Sequence, residues 1–166
     1  ANERMPAIIE AWYPGQSGGR AIAEVLFGDY NPGGKLPMTF YKSIEDLPPF
    51  DDYDIRNGRT YMYLKNAPLY PFGYGLSYTD FQIDNVRLKN NNLSKNDTLV
   101  VYFKITNVGS RSGSEVPQLY IEDKKIKKLK AFKRIFLDKG ESLDSSLKIA
   151  VSALKSWDIV KEDYTV

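Results

Sequence analysis

The sequence predicts an α+β chain: a strand–turn–helix unit at the N-terminal end, then an antiparallel β-sandwich of short strands. Three observations carry this. Apolar residues recur at helical spacing over 17–27, where Ile22, Val25 and Leu26 form one stripe. From Phe81 the period falls to two, as in Leu99, Val101, Phe103 and Ile105. Turn-forming clusters then separate one run from the next with no helix between them, the pattern of an antiparallel sandwich.

The first unit opens with Ala7-Ile8-Ile9, a short apolar run ending at Trp12 and expected as a buried strand. Pro14-Gly15 breaks it. Ser17 is placed as the N-cap of a helix over 17–27, and Gly28 stands where a left-handed C-cap glycine belongs. One strand and one helix cannot bury both their faces alone. The unit therefore reads as the end of an α/β domain whose earlier strands are missing.

Residues 41–79 read as an ordered connector. Its prolines, among them Pro48-Pro49, Pro68 and Pro71, alternate with Tyr53, Tyr61, Tyr63, Tyr70 and Phe72, all of them expected to pack. The β-sandwich occupies 80–166. Leu119 and Ile121 continue the alternation after the turn-rich stretch 110–114. Leu129, Ala131, Ile135 and Leu137 are taken as one strand, stopped by Asp138-Lys139-Gly140; Leu143, Leu147, Ile149 and Val151 form the next. Aromatic residues in these strands are expected to be mostly buried.

Composition excludes several chemistries. The 166 residues contain no Cys and no His, so disulfides, thiolate metal sites and Ser-His or Cys-His catalysis are ruled out within the chain. A net charge of +2 singles out no acidic partner. No apolar run approaches the roughly 20 residues of a membrane helix, and the first residues lack the layout of a signal peptide. Absence of Cys suits cytoplasm and periplasm alike.

The motifs with possible chemistry each have a plainer reading. Gln16-Ser17-Gly18-Gly19-Arg20 at a helix start could hold an anion, but lacks P-loop and dinucleotide spacing, so a close-packed glycine turn is expected. Asp51-Asp52-Tyr53-Asp54-Ile55-Arg56-Asn57-Gly58 lacks the glycine position and closing Glu of a calcium loop and reads as a solvated acidic loop. Lys124–Lys130 reads as a soluble lysine-rich edge or hairpin, since no nucleic-acid signature accompanies it. Asn92-Leu93-Ser94 and Asn96-Asp97-Thr98 are formal glycosylation sequons. Hydrolysis by paired carboxylates needs two carboxyl groups facing one site, and no such pair is recognisable. Glu10, beside Trp12, is assigned to the mouth or packing surface of the α/β domain. No catalytic, cofactor-binding or metal-binding residue is assigned, and no cofactor is implied.

Two long segments, Glu10–Phe40 (EAWYPGQSGGRAIAEVLFGDYNPGGKLPMTF) and Leu69–Tyr78 (LYPFGYGLSY), resemble the C-terminal portion of family 3 glycoside hydrolases, the β-glucosidases and β-xylosidases. The resemblance runs from about Pro6 to Trp157. It implies that residues 1–40 are the tail of an α/β sandwich domain and that 80–166 form a fibronectin type III-like domain. It also implies that the nucleophile and acid/base lie in an N-terminal barrel and in earlier α/β residues, which would be this chain's partners. A retaining, exo-acting parent that is periplasmic or secreted follows from the same resemblance. A final strand would follow the region of Trp157; since the chain stops at Val166 it is expected to be missing or incomplete, leaving an exposed edge. The connector, with Leu47-Pro48-Pro49-Phe50 and Arg59-Thr60-Tyr61-Met62-Tyr63, looks closer to the β-xylosidase branch, although Met62 departs from the Arg of many relatives. Exposed apolar surface could also pair copies of the chain. The competing class is an independent carbohydrate-binding or protein-interaction sandwich with no enzymatic parent.

Overall fold

The computed structural model describes residues 4–123, 126–158 and 163–165. Helix α1 spans Gly18–Phe27, and Gly28 closes it at φ 83° with its N–H donated to the Val25 carbonyl. That left-handed turn is the one foreseen from sequence, and it is inexpensive only for glycine. Ser17 precedes the helix but makes no side-chain capping bond. The apolar stripe is only partly covered: Ile22 and Val25 are half-buried, whereas Leu26 and Phe27 are exposed.

Residues 7–12 differ from expectation. They form no strand, and Ile8, Ile9 and Trp12 are exposed. A strand needs a neighbour for its N–H and C=O groups, and among the described residues none pairs with this segment. Apolar content alone does not make a strand.

The connector carries a 3-10 turn at Ile44–Asp46 and one helical turn, α2, at Thr60–Tyr63. Tyr61 stacks on Phe72 with ring centroids 4.3 Å apart, and Tyr70 packs on both Phe40 and Tyr74. Tyr53 departs from this pattern and stands 84% exposed.

Beyond residue 80 the described strand pairs are all antiparallel. Strands β1 (Phe81–Leu88), β2 (Thr98–Asn107) and β7 (Ser142–Ala150) form a sheet in the order β1-β2-β7. Strand β3 (Gly113–Glu115) pairs β6 (Ile135–Leu137), β4 (Gln118–Asp123) pairs β5 (Ile126–Phe132), and β8 (Ser156–Asp158) pairs β9 (Asp163–Thr165). Leu99, Val101, Phe103 and Ile105 of β2 are all buried, as their alternation predicts. Phe103 and Ile105 pack with Ile135, Leu137 and Leu147; Leu119 and Ala131 lie against both this cluster and that of Leu99, Val101 and Ile149. Each buried aliphatic side chain contributes about 1.5–3 kcal/mol relative to exposure, so this is the main source of cohesion.

Two strand expectations are corrected. The run from Leu129 to Leu137 is two strands, because β5 pairs β4 while β6 pairs β3, with Lys133-Arg134 at the switch. Strand aromatics are not mostly buried either. Phe132 and Phe136 are 66% and 61% exposed, since alternation that turns Ala131, Ile135 and Leu137 inward turns them out. Leu143, paired with Ile105 near the start of β7, is also exposed. The expectation of a final strand after Trp157 bears partly on 159–162 and 166, which lie outside the described residues.

Candidate functional site

The two quoted segments pair with each other. Leu36 N–H donates to the Tyr74 carbonyl, Gly73 N–H to Leu36, Phe40 N–H to Tyr70 and Leu69 N–H to Phe40, all at 2.8–2.9 Å. Glycine permits this approach: a Cβ on Gly75 would strike the Gly34 carbonyl, and one on Gly33 the Ser114 backbone. The paired segments then seat on the β region through polar contacts that are partly buried or exposed.

Lys35 is the central one. Its Nζ lies 2.9 Å from Glu115 Oε1 and donates to the Gly75 carbonyl at 2.8 Å, tying both segments to β3. The two side chains are only 16% and 19% exposed. Asn31 does the same work without charge. Its Oδ1 accepts from Ser77 Oγ and Tyr78 N–H, and its Nδ2 donates to the Ser112 carbonyl. Further along, Gln118 Nε2 donates to Gly73 and its Oε1 accepts from Tyr120 O–H at 2.6 Å. Burial pushes the Tyr120 phenol up from its ordinary value, with Tyr61 adding to it. The Tyr61 hydroxyl accepts the Leu129 N–H at 2.9 Å, linking connector to β5.

The end of α1 is held as firmly. Tyr78 O–H donates to the Val25 carbonyl, which also accepts the Gly28 N–H, and Arg111 Nη1 donates to the Gly28 carbonyl, so the acceptors at the helix C-terminus meet added donors, one of them cationic. Arg134 Nη2 donates to Tyr30 O–H from the β5–β6 switch. This arrangement fixes one unit on another.

The residues weighed from sequence lie elsewhere. Glu10 is exposed, and its Oε1 accepts the Trp12 N–H at 3.0 Å. In the glycine turn, Gly18 packs against Pro14 and Arg20 pairs with Glu24 at 2.6 Å. In the acidic loop, Asp52 accepts from Asp54 N–H and Asn57 Nδ2, and Asp54 grips Arg56 at 2.6 Å. That contact holds the Asp54 carboxyl at about 2, the side-chain hydrogen bond from Arg56 being the main cause. Among the described residues no group of three or more His, Cys, Asp or Glu could hold a metal ion. Nor is any helix long and apolar enough to cross a membrane. Lys35, Asn31, Glu115 and Gln118 were not singled out from sequence. Asn31 and Lys35 lie inside the first quoted segment, but their partners are 40 to 81 positions away, beyond any periodicity.

Residues 1–78 match the model of the glycosyl hydrolase family 3 C-terminal domain, and residues 115–166 match the fibronectin type III-like domain. The chain belongs to glycoside hydrolase family 3. It is 45% identical over 162 residues to a xylan 1,4-β-xylosidase of Xylanibacter ruminicola, covering 94% of this chain and 18% of that protein. It is 39% identical to a periplasmic β-glucosidase of Salmonella typhimurium, covering 95% of this chain and 23% of that one. The structure superposes on a β-glucosidase from Erythrobacter marinus with a TM-score of 0.82 at 36% identity, covering 99% of this chain and 22% of that one. The chain thus spans about a fifth of the length of the curated relatives it matches.

Proposed function

We propose that this chain is the non-catalytic C-terminal portion of an exo-acting, retaining β-glycosidase that releases terminal β-linked xylose or glucose. On this reading residues 1–40 close an α/β sandwich domain, 41–79 connect, and 80–166 form a fibronectin type III-like sandwich. The carboxylate pair of a retaining double displacement then comes from the N-terminal barrel and earlier α/β residues. A periplasmic or secreted location fits the relative whose name carries that compartment.

One observation carries the architectural role. The polar contacts at the junction are spent on joining the tail to β3–β5, while Ile8, Ile9, Trp12, Leu26 and Phe27 remain uncovered on its other parts. Exposed large apolar side chains in this number on one short unit are the raw material of an interaction face, and the occupant proposed is the remainder of the α/β domain. Leu26→Glu with Phe27→Glu should leave the chain folded yet abolish its association with the separately produced N-terminal portion of the enzyme. Unchanged association overturns the role. Purified chain should not turn over aryl β-xylosides or β-glucosides; activity lost on Glu10→Ala would overturn the non-catalytic assignment.

The competing reading, a free-standing carbohydrate-binding module, gains one observation in exposed Phe132 and Phe136. Retention of the chain on insoluble xylan, lost on Phe132→Ala and Phe136→Ala, would favour it.

A further inference from the structure

One guanidinium in the connector holds both ends of a turn. The Asp52 N–H donates to the Pro49 carbonyl at 3.1 Å, which puts Phe50 and Asp51 at the tip. Half-buried Arg59 then donates from Nε to the Asp52 carbonyl at 2.9 Å and from Nη2 to the Pro49 carbonyl at 2.7 Å. The rigid fork of guanidinium donors suits such a two-point grip. Asp52 Oδ1 also accepts the Asp54 N–H, its Oδ2 accepts from Asn57 Nδ2, and Gly58 at φ 89° returns the chain to Arg59. Thr60 follows at φ 62°, a backbone that a β-branched residue adopts only where its surroundings over-determine it. The turn is therefore held in one shape.

What this turn holds out is apolar. Phe50 is 93% exposed, and Tyr53, just beyond the turn, is exposed as well. Neither ring contributes to the grip, which runs through backbone, Asp52 and Arg59. A loop free to move would fold its phenyl ring against the protein to take it out of water; here the clamp keeps it outside. An aromatic side chain on an already ordered turn loses little freedom on docking, and such anchors seated in pockets dominate interfaces. Two facts narrow the occupant. The chain covers 18% and 23% of the relatives it matches, so most of such an enzyme lies outside it. Asp51, beside Phe50 at the tip, is exposed and forms no ion pair among the described residues, which suits a pocket with a cation at its rim.

We propose that the turn Pro49–Asp52 is a second docking element of this chain, with Phe50 seated in an apolar, basic-rimmed pocket on the N-terminal portion of the same enzyme and Tyr53 covered beside it. The proposal rests on the reading of the chain as a C-terminal portion, but it uses none of the α1 surface on which that reading is tested.

The chain contains no Cys, so single cysteines can report each surface. Tyr53→Cys, Leu26→Cys and, as a control in the turn before β7, Lys139→Cys are made in the isolated chain and in the full enzyme. Iodoacetamide labelling of each is followed by peptide mass spectrometry. All three positions are exposed in the chain and should react there at similar rates. In the full enzyme Tyr53→Cys should react at least about tenfold more slowly, since labelling then waits on opening of the contact, while Lys139→Cys keeps its rate. Adding Phe50→Ser should restore the rate at Tyr53→Cys. Equal rates in chain and enzyme, or protection that survives Phe50→Ser, overturns the proposal. Leu26→Cys separates the two readings. Protection there with none at Tyr53→Cys sinks the docking turn and leaves the architectural role; the reverse keeps the turn and removes the α1 face. Shielding of Tyr53→Cys in the isolated chain by xylohexaose assigns the rings to sugar, and shielding that grows with chain concentration assigns them to a second copy. Either result overturns the proposal.

Discussion

Lys35 and Glu115, eighty positions apart, meet at 2.9 Å with both side chains largely out of solvent. A pair so placed costs desolvation on both sides, and removing one partner leaves the other charge uncompensated. Lys35→Met should therefore destabilise the chain by about 2 kcal/mol, less than for a fully buried pair. Glu115→Gln should cost less, because an amide still accepts a hydrogen bond from Nζ. Urea unfolding of both single variants and the double variant checks this. A double variant no worse than Lys35→Met indicates coupling, whereas strict additivity refutes it.

Close approach at the junction predicts opposite outcomes for two neighbouring positions in space. A Cβ on Gly75 meets the Gly34 carbonyl, which is backbone and cannot swing aside; a Cβ on Gly34 itself meets nothing. Gly75→Ala should cost about 2 kcal/mol or more, and Gly34→Ala should lie within about 0.5 kcal/mol of the parent chain. Thermal melts of the two decide it. Equal effects would mean that the segments do not pair as described.

In the acidic loop, Asp54 is held at about 2 instead of the usual 3.8, chiefly by the hydrogen bond from Arg56. Because the folded value is depressed, the ordering it provides is present above 3.8 and is lost as pH falls toward 2. A side-chain NMR titration should show this low midpoint. Arg56→Gln should return it toward 3.8. A midpoint unmoved by that change would assign the shift to the loop backbone instead.

How far the sequence could be read depended on the range of the forces involved. Alternation placed Leu99, Val101, Phe103 and Ile105 in the core because a half-buried strand imprints its two faces locally. Gly28 was legible for the same reason: a helix stop is a matter of a few residues. The expected strand at 7–12 failed because pairing depends on a neighbour, and none of the described residues supplies one. Leu129–Leu137 was read as one strand because switching partners at Lys133-Arg134 leaves the inward positions in step. The junction was the least legible part. Lys35 looks like any surface lysine until the fold brings Glu115 to it. Family resemblance named the two segments, but only the backbone pairing of 36–40 with 69–74 explains why they occur together.

The final prediction concerns Asn107, which has no exposed surface at the end of β2. Its Oδ1 accepts from Thr79 Oγ1 at 2.7 Å and from Gly109 N–H at 3.2 Å. Its Nδ2 donates to the carbonyls of Arg111 and Leu137 at 2.7 and 3.2 Å. One amide thus satisfies two donors and two acceptors, and it ties the last connector residue to the turn after β2 and to β6. Asn107→Ala should cost about 2–4 kcal/mol, because the groups it served are left without partners in a dry site. Asn107→Asp is nearly the same shape but replaces the donor with a charge facing two carbonyls. Burial and those carbonyls should lift the new carboxyl above the usual carboxylate range. With a raised folded value, the protonated form keeps its stability at low pH and loses it as pH rises through the shifted value. Asn107→Asp should then unfold more readily than Asn107→Ala at pH 7 and recover toward the parent chain near pH 4. Chemical denaturation at both values, with the parent chain as reference, measures it; an Asn107→Asp penalty independent of pH would show that the amide's two donated bonds are not what the site requires.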